Sequence, residues 1–345
     1  MRYLPIAGIK EGMALGQDIY DGGGRMLLAK HQILNQEYIT NLETIGLPGV
    51  YIDDEFTEDV EIEEVIKPEV KSRALKIVHT LFMEDEDAED ASEWQIRKLV
   101  MDVVEHIMNN GDAMYNMMDL KTYDDYTFFH SVNVAVLSTV IGARYGMDEY
   151  ELRILATSAL LHDIGKKFLE IDILNAQRPL DEEERRIVLQ HPRLGYEFLR
   201  DTYDFAPEVY AGVLQHHESY NGEGYPMRKS GEEIDINARI IKLADVYDAM
   251  TSKRPYREAL SPSDAVEYMM AMCGSEFDPQ LVDVFLKWVA VYPSGCEVEL
   301  SDGRRAVVVK NAHNFVLRPI IKILDDGQLI NLNEDKNARN ITIIR

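Results

Sequence analysis

The sequence predicts a mainly α-helical protein carrying small β-rich modules at both ends. Three observations carry that expectation. Residues 111–290 keep apolar side chains at helical spacing almost throughout. Residues 1–55 and 293–345 instead alternate apolar and polar side chains around glycine-containing turns. Five of the nine histidines fall between residues 130 and 217, all inside the helical stretch.

Taken in order, "GMALGQDIYDGGGRMLLAKHQIL" reads as short strands around Gly22-Gly23-Gly24, a hairpin signal. A helix over "NQEYITNLETIG" ends at Gly46, and "GVYID" gives a further strand. Acidic residues dominate from Asp53 to Glu64, ahead of Pro68, and read as a linker. A helix starts near Glu69, is interrupted by "EDEDAEDAS" at 84–92, read as a solvated loop, and gives way to an amphipathic helix over 93–110. The next helices are "HSVNVAVLSTVIGARYG", closed by Gly146, and "MDEYELRILATSALLHDIGKK". "LDEEERRIVLQHPRLGYEFLR" follows with Asp181 as N-cap, then "PEVYAGVLQHHE" and "INARIIKLADVYDAMTS". The last two are separated by the Gly-rich loop "SYNGEGYPMRKSGEE". Strands over "EVELSDGRRAVVVKN", "FVLRPIIKIL" and "ITIIR", with turns at Asp302-Gly303 and Asp326-Gly327, predict a small barrel or meander. The expected organisation is a β-rich module over 1–65, a helical linker region with its acidic loop over 66–119, a catalytic domain over 120–290 and a second β-rich module over 291–345.

A chain of 345 residues has ample apolar content for a core. Its net charge of -25 argues against binding a nucleic-acid polymer or an anionic membrane. An anionic substrate then needs a local positive centre set into a negative surface. No apolar run reaches about 18 residues, so no membrane insertion is expected. The start "MRYLPIAGIKEGM" lacks the profile of a signal peptide, and Cys273 and Cys296 suggest no disulfide framework, so a cytoplasmic location is expected.

The histidines bring two aspartates with them. His130, the doublet His162-Asp163, His191, the doublet His216-His217 and Asp245 recur at intervals of 32, 28, 25 and 28 residues, about one helix and a connection each time. Burying such doublets in apolar runs is costly unless a metal ion compensates them. Imidazole with carboxylate suits Fe, Mn, Zn, Co or Ni. Seven ligands are too many for one tetrahedral ion and suit two that share a bridging carboxylate, for which Asp163 is the best candidate. Adjacent helical residues differ by about 100° of rotation, so His216 and His217 are expected to serve different ions or to approach from different sides. His31, His79, His106 and His313 lack any partner pattern and read as solvated or hydrogen-bonded side chains.

Two close ions activate water near neutral pH and clamp a phosphoryl oxygen, which points to phosphoester hydrolysis. Lys166, three residues after Asp163, is placed to hold a phosphate oxygen or the charge on a leaving group. Arg254 and Arg257 in "SKRPYR" offer bidentate phosphate contacts or base contacts. Gly222, Gly224 and Pro226 shape a turn in which Tyr225 presents a stacking face or a hydroxyl to substrate.

"HDIGK" at 162–166, "HHE" at 216–218, "GYP" at 224–226 and "ADVYDAMTSKRPYR" at 244–257 closely resemble the HD-GYP domain, a branch of the HD phosphohydrolases. "YTFFHSVNVA" at 126–135 and "FDPQLV" at 277–282 are similar to its opening and closing segments, so the resemblance covers roughly 120–290. It implies a helical HD-type bundle, a di- or tri-metal site that is often iron, and hydrolysis of cyclic di-GMP to pGpG, in some members to GMP, in bacterial second-messenger signalling. By matching position it makes His130, His162, Asp163, His191, His216, His217 and Asp245 metal ligands, with Asp163 bridging. It also puts Lys166 on phosphate and Arg254 and Arg257 on substrate. Trimetal members carry a glutamate where this chain has Tyr126, which favours two ions over three. Asp124 and Asp125 would not replace that side chain without a local change in the helix. The flanking modules match no familiar sensor; docking, homodimer formation and ligand sensing are the roles open to them.

Two alternatives stand beside this reading. One is a phosphodiesterase for another cyclic dinucleotide. The other, of a different class, is a non-catalytic scaffold that reports cyclic dinucleotide or metal status; its mark would be a lost ligand, and none is missing.

Overall fold

The computed structural model describes residues 1–345 except 22–24, 46, 48, 58, 59, 61, 63, 64, 83–91, 111–113, 115–125, 175, 177, 253–259, 313, 314 and 345. The Gly22–Gly24 turn, Gly46, Asp124, Asp125, His313 and almost all of the acidic run at 84–92 therefore lie outside the described residues.

The N-terminal module pairs β1 (Arg2–Pro5), β2 (Ala14–Leu15) and a later strand in one antiparallel sheet, with β3 (Ile19–Tyr20) and β4 (Met26–Leu28) as a separate hairpin. Helix α1 (Gln36–Thr44) starts where Asn35 accepts from Tyr38 N–H at 2.8 Å. β5 (Gly49–Asp53) then inserts between β1 and β2. The predicted linker is partly structured: Thr57, Val60, Val65 and Ile66 are all buried.

The helical body comprises α2 (Pro68–Phe82), α3 (Glu93–Asn109), α4 (Tyr126–Tyr145), α5 (Glu149–Leu161), the short α6 (Ile171–Leu174) and α7 (Glu182–Val188), and α8 (His191–Thr202). It continues with α9 (Pro207–Gln215), α10 (Ile236–Thr251), α11 (Pro262–Ala271) and α12 (Pro279–Trp288). Gly146 takes a φ of +103° and closes α4, as read from the sequence. Asp148 and Asp181 each build a capping box, with Glu151 and Glu184.

Three helices end earlier than periodicity predicts. The stretch ending in "LLHDIGKK" leaves the α-helix at Leu161 and continues from Ile164 to Phe168 as a 3-10 helix. "LDEEERRIVLQHPRLGYEFLR" is two helices, because Pro192 has no N–H to continue the ladder and instead sits in the first turn of α8. "PEVYAGVLQHHE" stops at Gln215.

At the C-terminus β6 (Glu297–Glu299), β7 (Arg305–Lys310), β8 (Ile320–Ile323) and β9 (Leu329–Asn331) form an antiparallel meander in sequence order. "ITIIR", expected as a strand, contributes one bridge from Ile343 to Leu300. Two of its own residues, Ile341 and Ile343, pack on the core. The two β modules touch: Tyr3 N–H donates to Gly295 O at 2.9 Å, and Lys322 Nζ donates to Phe56 O at 2.8 Å. One cluster of buried apolar residues runs from Val65 through the helices into the C-terminal sheet and on to Ala338, while the N-terminal module has its own. No helix among the described residues is long and apolar enough to cross a membrane.

Within that core Tyr247 is fully buried against Phe285, and its hydroxyl has no hydrogen-bond partner among the described residues. An unmet buried donor costs about 1–3 kcal/mol. Tyr247→Phe is therefore expected to raise stability by about 1 kcal/mol, seen as a higher urea midpoint at unchanged slope.

Candidate metal centre

Helices and helix ends converge on one buried polar cluster. α4 packs against α5 and α10, and α9 against α5, α8 and α10. α4 delivers His130, the end of α5 delivers His162, and the 3-10 segment opens with Asp163. α8 begins at His191, α9 is capped by His216, and α10 carries Asp245.

Three of the imidazoles are aimed by the same device. Nδ1 of His162 lies 2.7 Å from Ala159 O, that of His191 2.8 Å from Val188 O, and that of His216 2.7 Å from Val213 O. A carbonyl only accepts, so each Nδ1 carries the proton and each Nε2 is left as a bare lone pair. The carbonyls are free to accept because the helices stop there. His130 is aimed by a side chain: its Nδ1 donates to Asp248 Oδ2 at 2.7 Å, while Asn133 Nδ2 holds the other oxygen of Asp248 at 3.2 Å.

The Nε2 atoms meet around Asp163. Its Oδ1 is 3.2 Å from His191 Nε2 and 4.0 Å from His216 Nε2. Its Oδ2 is 3.4 Å from His162 Nε2, 3.7 Å from His130 Nε2 and 2.5 Å from Lys166 Nζ. His191 Nε2 stands 3.2 Å from both His216 Nε2 and His217 Nε2, and Asp245 Oδ1 is 3.1 Å from His130 Nε2. Two sets emerge, Asp163 with His191, His216 and His217, and His130 with His162 and Asp245; within each, the ligand atoms lie within 4.8 Å of one another.

This cluster fits divalent metal. His191 and His216 present unprotonated nitrogens to each other at 3.2 Å, an unfavourable contact without a cation to share. His162 Nε2 and Asp163 Oδ1 are buried and form no hydrogen bond of good geometry among the described residues. Burial, followed by repulsion from neighbouring imidazoles, holds His216 and His217 well below the usual histidine range and so keeps them neutral. Burial also works to raise Asp163 and Asp245. Lys166 and His162 on the one, and His130 on the other, nevertheless hold both well below the usual carboxylate range. Burial would likewise lower His130, but Asp245 and Asp248 raise it to about 9.

All seven predicted ligands are thus brought together, with Asp163 between the two sets. The expectation for His216 and His217 needs correcting in part. They fall in the same set, because the helix ends at Gln215 and the 100° rotation assumed for them does not apply. Lys166 meets Asp163 through the 3-10 turn and not across an α-helical face. Tyr225 stacks on His217 at 4.8 Å with the rings 19° apart, so one of its faces is already occupied. Arg254 and Arg257 lie outside the described residues, as does the Tyr126 side chain, although that residue opens α4. His31 is an exposed partner of Asp53, His106 bonds Asp102 O, and His79 packs on Phe128, as expected of histidines outside the site.

Sequence reasoning gives no role to Asp248, Asn133 or Glu218. Asp248 lies three residues after Asp245 in an apolar helix, and Asn133 three after His130. That same-face spacing is the signal that could have found them.

The HD domain family model matches residues 97–281. The chain belongs to the HD domain family. A cyclic di-GMP phosphodiesterase of Pseudomonas aeruginosa is 33% identical to this HD domain protein over 252 residues, 73% of this chain and 61% of the relative. A cyclic di-GMP phosphodiesterase response regulator of Xanthomonas campestris pv. campestris is 40% identical over 149 residues, 43% of this chain and 39% of the relative. The HD domain protein thus spans less than two thirds of either relative. Among solved structures, an HDG"Y"P protein of Bdellovibrio bacteriovorus superposes with a TM-score of 0.55 at 16% identity, covering 82% of this chain and 97% of that one. That likeness is one of fold.

Gly165 shows how tightly the HD segment is seated. A Cβ there would lie 1.9 Å from His191 O and 2.6 Å from Gly195 N, both backbone atoms of α8. Gly165→Ala is expected to force Asp163 and His191 apart and to cost about 1–3 kcal/mol or more, read as a lowered urea midpoint together with weakened metal retention.

Proposed function

We propose that this HD domain protein is a metal-dependent phosphodiesterase that hydrolyses cyclic di-GMP to pGpG, with further cleavage to GMP as a second step. What supports this most is the pair of ligand sets meeting at Asp163, with a lysine on the same carboxylate. His130, His162 and Asp245 would hold one ion and His191, His216 and His217 the other, with Asp163 bridging; iron is foremost, with Mn, Zn, Co or Ni as alternatives. Bound there, two ions would supply Lewis acidity and activated water for in-line attack at phosphorus.

The chain's own groups do the rest. Main-chain carbonyls and Asp248 hold the imidazoles in one tautomer, so little reorganisation is needed during reaction. Lys166 is about a quarter exposed, so its ammonium reaches from buried Asp163 towards solvent, where an anionic phosphodiester arrives. Arg254 and Arg257, shortly after α10, are assigned to the same substrate. We assign the work to the cytosol, a reading supported by Cys273 and Cys296, which are free of any disulfide.

Anaerobically purified protein should carry two metal ions per chain and convert cyclic di-GMP to pGpG or GMP. His162→Ala and Asp163→Ala should abolish turnover, and Lys166→Ala should lower kcat about 10²–10³-fold. Loaded protein that binds cyclic di-GMP without product, or equal turnover in wild type and the two alanine variants, would sink the assignment in favour of a scaffold.

Metal binding should also release a proton. His130 Nε2 must be bare to act as a ligand, yet Asp245 and Asp248 raise this imidazole to about 9. Protons therefore compete, and apparent affinity should rise by about tenfold per pH unit up to that value for one displaced proton. Chelator competition between pH 6 and pH 9 reads this directly, and a flat profile would contradict it.

A further inference from the structure

Four of the five clustered imidazoles have Nδ1 fixed by a hydrogen bond, to a main-chain carbonyl for His162, His191 and His216 and to Asp248 for His130. His217 is the exception: among the described residues the only hydrogen-bond contact of its imidazole is Nε2 to His191 Nε2. Besides the rings of its fellow cluster members His216 and His191, which are tilted or edge-on to it, what lies against its ring is that of Tyr225, nearly parallel at 4.8 Å.

Tyr225 is itself placed by the next residue in the chain after His217. Glu218 is 2% exposed and has no cation partner among the described residues. Its carboxylate accepts two backbone N–H groups from the far side of the loop, Met227 at 2.6 Å to Oε1 and Lys229 at 3.1 Å to Oε2. A buried carboxylate costs several kcal/mol unless such bonds satisfy it, so the loop must close around it. Tyr225 N–H bonds His217 O at 3.3 Å, and Gly231 N–H bonds Tyr220 O at 2.9 Å. Gly224 completes the fit, since a Cβ there would stand 2.2 Å from Ser219 N.

The geometry points to Glu218 as a positioning residue for His217, acting through Tyr225: the carboxylate folds the 218–231 loop so that the tyrosine ring supplies the restraint that a hydrogen bond gives the other four histidines. This rests on reading the cluster as a metal centre. It gives the Gly-Tyr-Pro segment a task at the ion set of Asp163, His191, His216 and His217, separate from any contact with substrate. Losing a group that orients a ligand costs about 10–100-fold in metal affinity. The loss should fall on one ion only.

Titration with Mn²⁺ alone, counting free ion by electron paramagnetic resonance, tests this on the full chain without any turnover assay. Wild type should bind two ions. Glu218→Ala and Tyr225→Ala should each weaken one ion by about 10–100-fold and leave the other unchanged, whereas Tyr225→Phe, which keeps the ring, should retain wild-type affinities. Adding Glu218→Ala to His217→Ala should cause no further loss. Tyr225→Ala leaves the buried carboxylate bonded, so it decides the matter even if Glu218→Ala does not fold. Wild type that binds no Mn²⁺ removes the metal-centre reading and this proposal with it. Two ions in wild type with unchanged affinity in Tyr225→Ala, or equal weakening of both, overturns this proposal alone.

Discussion

The proton on Nδ1 of four of the five clustered histidines has to be somewhere, and where it sits decides whether the site can exist. In His162, His191 and His216 it points at the main-chain carbonyl three residues earlier, which fixes the tautomer and turns Nε2 inward. That bond is available only where a helix has stopped using its carbonyls. The early ends of α5, α7 and α9 are therefore conditions for the cluster. The Pro192 break and the 3-10 turn after His162 follow from the same demand.

Charge tells the same story at longer range. A chain of net charge -25 places Asp163, Asp245 and Asp248 within one small buried volume, where like charges repel and water is excluded. Lys166 on Asp163 and a protonated His130 between Asp245 and Asp248 answer only part of that charge. Cations at the centre would answer the rest.

Most of the candidate site was legible in the sequence because its candidate ligands recur at about one helix and a connection apart, and a doublet such as His162-Asp163 in an apolar run has few inexpensive explanations. The bundle was legible for the same reason, since period 3.6 persists over 111–290. Helix ends were not. Periodicity continues through His162 and His216 although the backbone leaves the helix there, because the residues that follow are still buried. Nor was Glu218 legible as more than part of a motif, since its partners are backbone N–H groups 9 and 11 residues on, which carry no side-chain signature. The short strand over Leu329–Asn331 was hidden by its length, and "ITIIR" looked like a strand while serving as a cover for the core.

The apolar cluster that runs unbroken from Val65 to Ala338 bears on how small a working piece of this chain can be. Phe285, Val289 and Val291 belong to the same interior as Val298, Val308 and Ile321, so the last helix has the meander as its roof. A fragment cut after Trp288 would keep every residue of the buried cluster and still present a flank of bare aliphatic side chains to water. Its failure would show as clumping in the test tube and not as lost chemistry. The minimal folded piece is thus bounded by where the oil ends, some fifty residues beyond the last helix.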